Sequence, residues 1–263
     1  MESRGLFLGI LARELKGMDT VVGYSDVQLR TQLATTTRIL HEHGILDYSG
    51  HISARAPGRD ALFVQQRTDP RSGVAPEGIL LVDFNGNVLE GAPGKPPSET
   101  EIHIQILKAR PDVNSVIHSH LEMAVLFSMM KNTPIQPIRV RATRWKTGVP
   151  VHQDPSHIKA TDQGVSLAKT LANHNAALIR GHGMVLVAES VPALMIDCIH
   201  FDENAKAYLA ILNSGREAVP LTEQDVYAIE GRELREHHIG KLWKYYVQNG
   251  RESGLLPKDW KAA

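Results

Sequence analysis

The segment Ser98-Glu99-Thr100-Glu101-Ile102-His103 is followed by His118-Ser119-His120 and, much later, by Gly181-His182-Gly183. The two histidines of the second segment end an apolar run, 115–117, whose β-branched residues are typical of a short strand. Residues i and i+2 of a strand point to the same face, so these two imidazoles lie side by side. Imidazole binds zinc, copper, iron and nickel, and manganese less strongly. The pair therefore predicts two ligands of one metal ion.

The third segment offers a further ligand, His182, at the end of the apolar run 176–179. Its two glycines allow the backbone to turn sharply and to approach closely at a strand end. Three protein ligands leave one coordination position open, which a catalytic metal requires. Each motif alone is weak, because a histidine pair is more often a surface or half-buried feature. The carboxylate of Glu99 at a helix start just upstream makes the combination specific.

Together these segments resemble the class II aldolase/adducin family. The resemblance rests on Lys95-Pro96-Pro97-Ser98-Glu99, on Arg110-Pro111-Asp112-Val113-Asn114 leading into His118-Ser119-His120, and on Gly181-His182-Gly183. In addition, Ser49-Gly50-His51-Ile52-Ser53-Ala54-Arg55 is similar to the family's Gly-Asn-x-Ser-x-Arg segment. The resemblance extends over residues 28 to 215, with the motifs in the family's order.

This resemblance implies an α/β fold, an α/β/α sandwich with a central mixed, largely antiparallel sheet. It implies one divalent transition metal per chain (Zn, Mn, Fe or Co), held by His118, His120 and His182. Glu99 is the implied acid/base. The family also implies a cyclic homotetramer whose active sites lie between subunits.

The composition limits the classes of function. The chain has 263 residues, with 29 Lys+Arg against 29 Asp+Glu, so no net charge attracts nucleic acid or an anionic membrane. The single cysteine, Cys198, excludes an internal disulfide and suits a cytoplasmic location. The apolar run 5–12 is too short to span a bilayer. We expect an N-terminal arm (1–24), one domain (25–250) and a C-terminal tail (251–263).

Two positions depart from the family's sugar-phosphate enzymes. Glu77 stands before Gly78 where those enzymes carry a phosphate-binding Thr or Ser, and Pro97 replaces the first residue of a Ser-Ser pair. A carboxylate repels a phosphate dianion, and proline lacks an N–H donor. His51 replaces the family's Asn and adds a group that titrates. These departures argue against a sugar-phosphate substrate.

Several residues are candidates for substrate contact. Arg139 and Arg141 share one face if their segment is extended, and guanidinium groups bind carboxylates bidentately. Tyr245 is a candidate because the family's C-terminal segment brings an aromatic hydroxyl to a neighbour's site. The alternatives are a structural histidine, a solvated edge strand or subunit ion pair, and a core or interface aromatic residue. The complete set is His51, Ser53, Arg55, Glu77, Gly78, Ser98, Arg139, Arg141 and Tyr245.

Local signals predict element boundaries. Ser25 begins a helix with a capping box, and Ser98 with Glu101 predicts another, which puts Glu99 in the first helical turn. Asn85-Gly86 predicts a type I′ hairpin turn. Thr222 is the predicted cap of one last helix that carries residues 243–246. His103 lies on the same helix face as Glu99, four residues on.

The predicted function is metal-dependent, non-oxidative decarboxylation of a hydroxylated aromatic carboxylate, such as a dihydroxyphthalate, in aromatic catabolism. The chain is then a lyase that acts on a small aromatic acid. One alternative is a class II aldolase that cleaves an unphosphorylated hydroxy-keto acid. Others are an adducin-like binding module without catalysis and an iron-dependent oxygenase on the same scaffold.

Overall fold

The computed structural model describes residues 24–232 and 234–260, and within them the strands form one eight-stranded sheet. The strands are β1 His51–Arg55, β2 Ala61–Val64, β3 Leu80–Asp83, β4 Val88–Glu90, β5 Ser115–Ser119, β6 Val151–His152, β7 Ala176–Ile179 and β8 Gly183–Ala188. Their spatial order is β4-β3-β2-β1-β5-β8-β7-β6. Neighbours pair antiparallel except β6 and β7, which are parallel. The predicted mixed, largely antiparallel sheet is confirmed.

Helices cover both faces of this sheet. They are α1 Asp26–Glu42, α2 Thr100–Ala109, α3 Glu122–Met129, α4 Thr161–Leu171, α5 Val191–Asn213, α6 Glu223–Glu230 and α7 Arg235–Glu252. Successive strand residues alternate between two apolar layers, as the pleat requires. Phe63 and Leu186 join the layer with α1 and α5, whereas Leu62 and Val187 join the layer with α2 and α4. The predicted three-layer sandwich is therefore confirmed.

The centre of the sheet fixes the position of the histidines. In the pairing of β1 with β5, His51 lies opposite His118, and Ser53 lies opposite Val116. Val116 belongs to the apolar layer that contains α2, so the side chains of His51, Ser53 and His118 also face α2. This face of the sheet positions the candidate site.

Most predicted boundaries agree with the structure. Ser25 caps α1 with both hydrogen bonds of a capping box, and the Cys198 thiol is buried in α5. The hairpin around Asn85-Gly86 forms, but the predicted type I′ turn is wrong, since Gly86 has a positive φ (86°) and Asn85 does not. The carboxylate of Asp83 instead accepts bonds from the N–H groups of Asn85 and Asn87 and closes a longer turn.

The C-terminal region differs from the prediction of one last helix. Thr222 caps α6 as expected, but α6 ends before Gly231 and α7 starts at Arg235. α7 extends to Glu252, and Leu256 beyond it packs into the core. Apart from Tyr24, the predicted N-terminal arm lies outside the described residues. None of the helices described is long and apolar enough to cross a membrane.

Arg55 ties β1 to the end of α2. Its guanidinium donates to the backbone carbonyls of Leu107, Arg110 and Val113 at 2.7–3.0 Å. The last carbonyls of a helix lack partners within the helix, so a cation at this end satisfies them and also interacts favourably with the helix dipole. These contacts give Arg55 a structural role.

We expect Arg55→Met to lower the free energy of unfolding by about 2–4 kcal/mol, because several charge-assisted hydrogen bonds to buried carbonyls are lost. Urea denaturation followed by circular dichroism measures this change. The control is Arg59→Met, since Arg59 pairs with Asp26 (2.6 Å) at the surface and such pairs contribute less than about 1 kcal/mol. Equal unfolding midpoints for both variants would contradict the structural role of Arg55.

Candidate metal centre

His118 lies in β5 and is fully buried. Its Nδ1 is 3.1 Å from the carbonyl oxygen of Met184 in the neighbouring strand β8. That contact assigns the ring proton to Nδ1, because a carbonyl oxygen only accepts. Nε2 is buried without a hydrogen-bond partner, and burial lowers the pKa of His118 well below its usual range. The side chain is a neutral imidazole with a free lone pair on Nε2.

His120, just past the end of β5, is oriented by Asp47. Its Nδ1 lies 2.9 Å from Oδ2 of Asp47, and its Nε2 is buried without a partner. The hydrogen bond from Asp47 raises the pKa of His120 despite partial burial. Burial raises the pKa of Asp47, but hydrogen bonds from His120 and from the N–H groups of Ser49 and Gly50 outweigh burial, so this pKa is well below its usual range. Carboxylates of this kind orient metal-binding histidines.

His182 is brought to the same place by the turn between β7 and β8. Gly181 has φ 65°, a conformation that glycine adopts without strain, and His182 N–H donates to the carbonyl of Ile179. A side chain at Gly183 would collide with the backbone carbonyl of Ser119, so glycine there lets β8 pass close to β5. Burial lowers the pKa of His182, although the nearby carboxylate of Glu99 raises it.

Glu99 is 5% exposed and faces the three histidines. Its two carboxylate oxygens lie 3.8 Å from Nε2 of His118 and of His182, and Oε1 accepts a 2.8 Å hydrogen bond from the backbone N–H of Ile158. The predicted capping box at Ser98 is wrong: α2 starts at Thr100, and Glu99 is its N-cap without a side-chain capping bond. The carboxylate is held by a distant loop instead, and Ser98 is exposed.

These four side chains form a group that could hold a metal ion. One ligand atom from each of Glu99, His118, His120 and His182 lies within 4.8 Å of the others. The Nε2 atoms of all three histidines are buried and lack hydrogen-bond partners, an arrangement that is costly without a bound ligand. Three imidazoles and one carboxylate suit a divalent transition metal, so the residues present fit such an ion.

Sequence reasoning missed two members of this site, Asp47 and His157. His157 Nδ1 lies 3.5 Å from Oε2 of Glu99, its ring is 5.2 Å from that of His182, and its side chain is 67% exposed. Both residues come from irregular segments, where no periodic pattern predicts which side chains meet. The only signal for Asp47 was an acidic residue just before the Ser49-Gly50-His51 segment.

Two predicted substrate contacts lie beneath the site. His51 and Ser53 are buried, and both bond to His103 of α2: His51 Nδ1 is 2.6 Å from its Nε2, and Ser53 Oγ is 2.7 Å from its Nδ1. The ring of His51 is 5.2 Å from that of His118. The structure therefore brings His51 beside the metal ligands and places Ser53 one residue further away.

The remaining contacts predicted on the early segments are placed as follows. Arg55 points to the end of α2, as described above. Glu77 is exposed on the turn Pro76–Gly78, and the Cα hydrogens of Gly78 face the carboxylate of Asp69. Pro97, the residue that replaces the family's serine, is buried next to the exposed Ser98.

The two predicted arginines do not share a strand face, because their segment is not extended. Val140–Trp145 forms a 3₁₀ helix in which Trp145 and Ala142 are buried. Arg139 pairs with Glu203 of α5 (3.2 Å), and Arg141 lines a separate cavity of about 520 Å³ near α7. Tyr245 on α7 is 57% exposed and packs edge-on against Tyr246. Within one chain, the contacts of these residues do not involve the histidine cluster.

We expect Asp47→Asn to weaken metal binding about 10- to 100-fold, because the amide orients His120 less well and lowers its basicity. Competition with a chromogenic chelator measures the affinity for zinc and manganese. Asp60→Asn is the control, since the carboxylate of Asp60 has no contact with the cluster. Metal affinity that is equal in wild type and Asp47→Asn would show that Asp47 does not support the site.

Comparisons with known proteins agree with this geometry. The model of the family described as the class II aldolase and adducin N-terminal domain matches residues 31–209. A 3,4-dihydroxyphthalate decarboxylase from Rhodococcus jostii is 28% identical over 83% of this chain and 94% of its own length. The decarboxylase tropJ from Talaromyces stipitatus is 26% identical over 82% of this chain and 92% of its own length.

Solved structures show the same fold. An aldolase II superfamily protein from Pseudomonas syringae superposes with a TM-score of 0.75 at 18% identity, covering 92% of this chain and 98% of that protein. The family model alone spans more than half of the sequence and includes the strands and helices that hold the four-residue cluster. The chain therefore belongs to the class II aldolase and adducin family.

Proposed function

We propose that the protein is a metal-dependent, non-oxidative decarboxylase of a hydroxylated aromatic carboxylate, with a dihydroxyphthalate as the type of substrate. The observation that carries this proposal is the buried carboxylate of Glu99 beside imidazole nitrogens that lack partners. Such a site combines an ion that withdraws charge with a group that holds a proton. Relatives named as decarboxylases support a decarboxylase activity, and both they and the aldolases of the family are lyases. The protein is accordingly an enzyme of the lyase class.

In this proposal His118, His120 and His182 bind one divalent transition metal ion per chain. When bound, the ion supplies Lewis acidity that stabilises negative charge on the oxygens of the substrate. The contacts to Met184 and Asp47 hold the rings of His118 and His120 so that Nε2 of each faces the ion. Burial keeps His118 neutral, which leaves its lone pair available.

Glu99 supplies the proton that decarboxylation consumes. The bond between the ring carbon and the carboxylate carbon breaks, carbon dioxide leaves, and the electron pair remains on the ring carbon. Oε1 of Glu99 is held by the N–H of Ile158, so Oε2 is the oxygen free to carry a proton. Glu99 gives that proton to the ring carbon, directly or through one water molecule, and solvent then reprotonates Oε2.

The substrate pocket supports an aromatic acid better than a sugar phosphate. Glu77 and Pro97 stand where phosphate-binding hydroxyls are found in the family's sugar-phosphate enzymes, and neither residue offers a donor to a dianion. His51 beside the cluster offers a ring nitrogen to the substrate. We also propose a homotetramer with sites between subunits, in which Arg139, Arg141 and Tyr245 act on a neighbour's substrate.

We expect Glu99→Gln to reduce the rate of carbon dioxide release about a hundredfold or more, because a positioned general acid is lost. The assay is carbon dioxide release from dihydroxyphthalate isomers, alongside the metal content of each preparation. Glu101→Gln is a matched control two residues away, whose carboxylate bonds to Gln105. Full activity of Glu99→Gln with metal bound would exclude the proton-donor role.

We expect about one transition metal ion per chain in the purified or metal-loaded protein and a near-complete loss in His118→Ala/His120→Ala, since two of three imidazole ligands are removed. Elemental analysis gives this ratio, and His174→Ala, a histidine bonded to Thr147, is the control. No metal in the wild-type protein after loading with manganese, iron, cobalt or zinc would favour the adducin-like binding module. Release of pyruvate or an aldehyde would favour the aldolase, and oxygen uptake the iron-dependent oxygenase.

A further inference from the structure

Beneath the metal ligands, three buried side chains form a hydrogen-bonded chain, Ser53–His103–His51. The distances are 2.7 Å from Ser53 Oγ to His103 Nδ1 and 2.6 Å from His103 Nε2 to His51 Nδ1. Ser53 and His103 are fully buried, and His51 is 2% exposed. The residues come from β1 and α2, so the chain crosses from the sheet to the helix packed on it. The mechanism proposed above gives no role to His103.

Two arrangements of the protons are consistent with these distances. In the first, the Ser53 hydroxyl donates to His103 Nδ1, and His103 Nε2–H donates to His51 Nδ1, so His51 carries its own proton on Nε2. In the second, His103 Nδ1–H donates to Ser53 Oγ, and His51 Nδ1–H donates to His103 Nε2, so His51 Nε2 has only a lone pair. A neutral imidazole has one N–H, so each arrangement fixes the tautomer of His51.

The surroundings of Ser53 favour the first arrangement. Among the described residues, the Ser53 hydroxyl has no hydrogen-bonding contact other than His103, and the side chain has no access to solvent. In the second arrangement its proton would be buried without an acceptor, which costs free energy. In the first arrangement that proton is used. His51 then presents Nε2–H, and this atom makes no hydrogen bond within the described part of the chain.

Both imidazoles are uncharged, which makes the chain a matter of proton position and not of charge. Burial lowers the pKa of His103 to about 3 and lowers that of His51 well below its usual range. His51 also lies opposite His118 across the β1–β5 pair, with the ring centroids 5.2 Å apart. A neutral N–H donor therefore stands next to the metal ligands.

We propose that Ser53 and His103 are positioning residues that fix His51 as the Nε2–H tautomer, so that His51 donates a hydrogen bond to an anionic oxygen of the bound substrate. The substrate class is that of the proposed function, an aromatic acid with phenolate or carboxylate oxygens, and this part rests on that proposal. The assignment of the tautomer itself does not depend on any substrate.

The first test measures the tautomers directly in protein labelled with ¹⁵N-histidine, metal-free and with zinc added. We expect Nε2 of both His51 and His103 to carry the proton, with a coupling across the hydrogen bond from His103 Nε2 to His51 Nδ1. Variants of each histidine to glutamine assign the signals. A proton on Nδ1 of His51 in the wild-type protein would overturn the proposal.

The second test removes the hydroxyl. In Ser53→Ala either arrangement leaves one atom of His103 unpaired, so the two states approach each other in free energy and the His51 signals move toward tautomer-averaged values. Ser115→Ala is the matched control, because Ser115 is another buried serine of the sheet, whose hydroxyl donates to the Ser53 carbonyl at 2.8 Å. Unchanged His51 signals in Ser53→Ala, or equal changes in both variants, would overturn the positioning role.

A third measurement tests the donor with a ligand, 3,4-dihydroxybenzoate, by calorimetry on zinc-loaded protein. We expect Ser53→Ala to lower its affinity up to about tenfold, the range of one hydrogen bond to a charged group. In a His51→Asn background the amide supplies its own N–H, so Ser53→Ala should have no further effect. Equal losses in both backgrounds would indicate a merely structural role. If the wild-type protein binds no ligand but shows the expected tautomers, the substrate class fails and the tautomer assignment stands.

Discussion

The pairing of β5 between β1 and β8 is the constraint on which the site depends. Its register puts His118 opposite His51 on one side and opposite Val185 on the other, so neither neighbour can slip without moving every side chain to the other face. The turn that carries His182 enters β8 directly, and glycine at 183 allows the close approach to Ser119. Sheet register, rather than any single contact, brings the imidazoles together.

Around that register, each functional side chain has a second partner that orients it. Met184 fixes the ring of His118, Asp47 that of His120, and Ile158 the carboxylate of Glu99. Groups held in this way lose little freedom when a ligand binds, and this preorganisation is what metal affinity and proton transfer require. The site is thus a set of ligands and a separate set of supports, drawn from different segments.

The sequence allowed the three-layer sandwich and the four clustered side chains to be predicted, because strand alternation and close-packed glycines leave local patterns. His-x-His in a strand and Gly-His-Gly after one are of this kind. It did not predict that Asp47 and His157 join the site, since loop positions carry no periodicity. It was also misleading at Ser98 and at residues 139–141. There the carboxylate of Glu99 and the burial of Trp145 involve distant segments that override local preference.

The central place of β5 also affects how the protein folds. Its two neighbours, β1 and β8, are separated from it in sequence by about 60 residues each, so the centre of the sheet closes only after long loops have formed. The residues that could bind metal, 99 to 182, meet at that late stage. We therefore expect metal to bind a chain that is already folded, so that it slows unfolding and leaves the refolding rate unchanged.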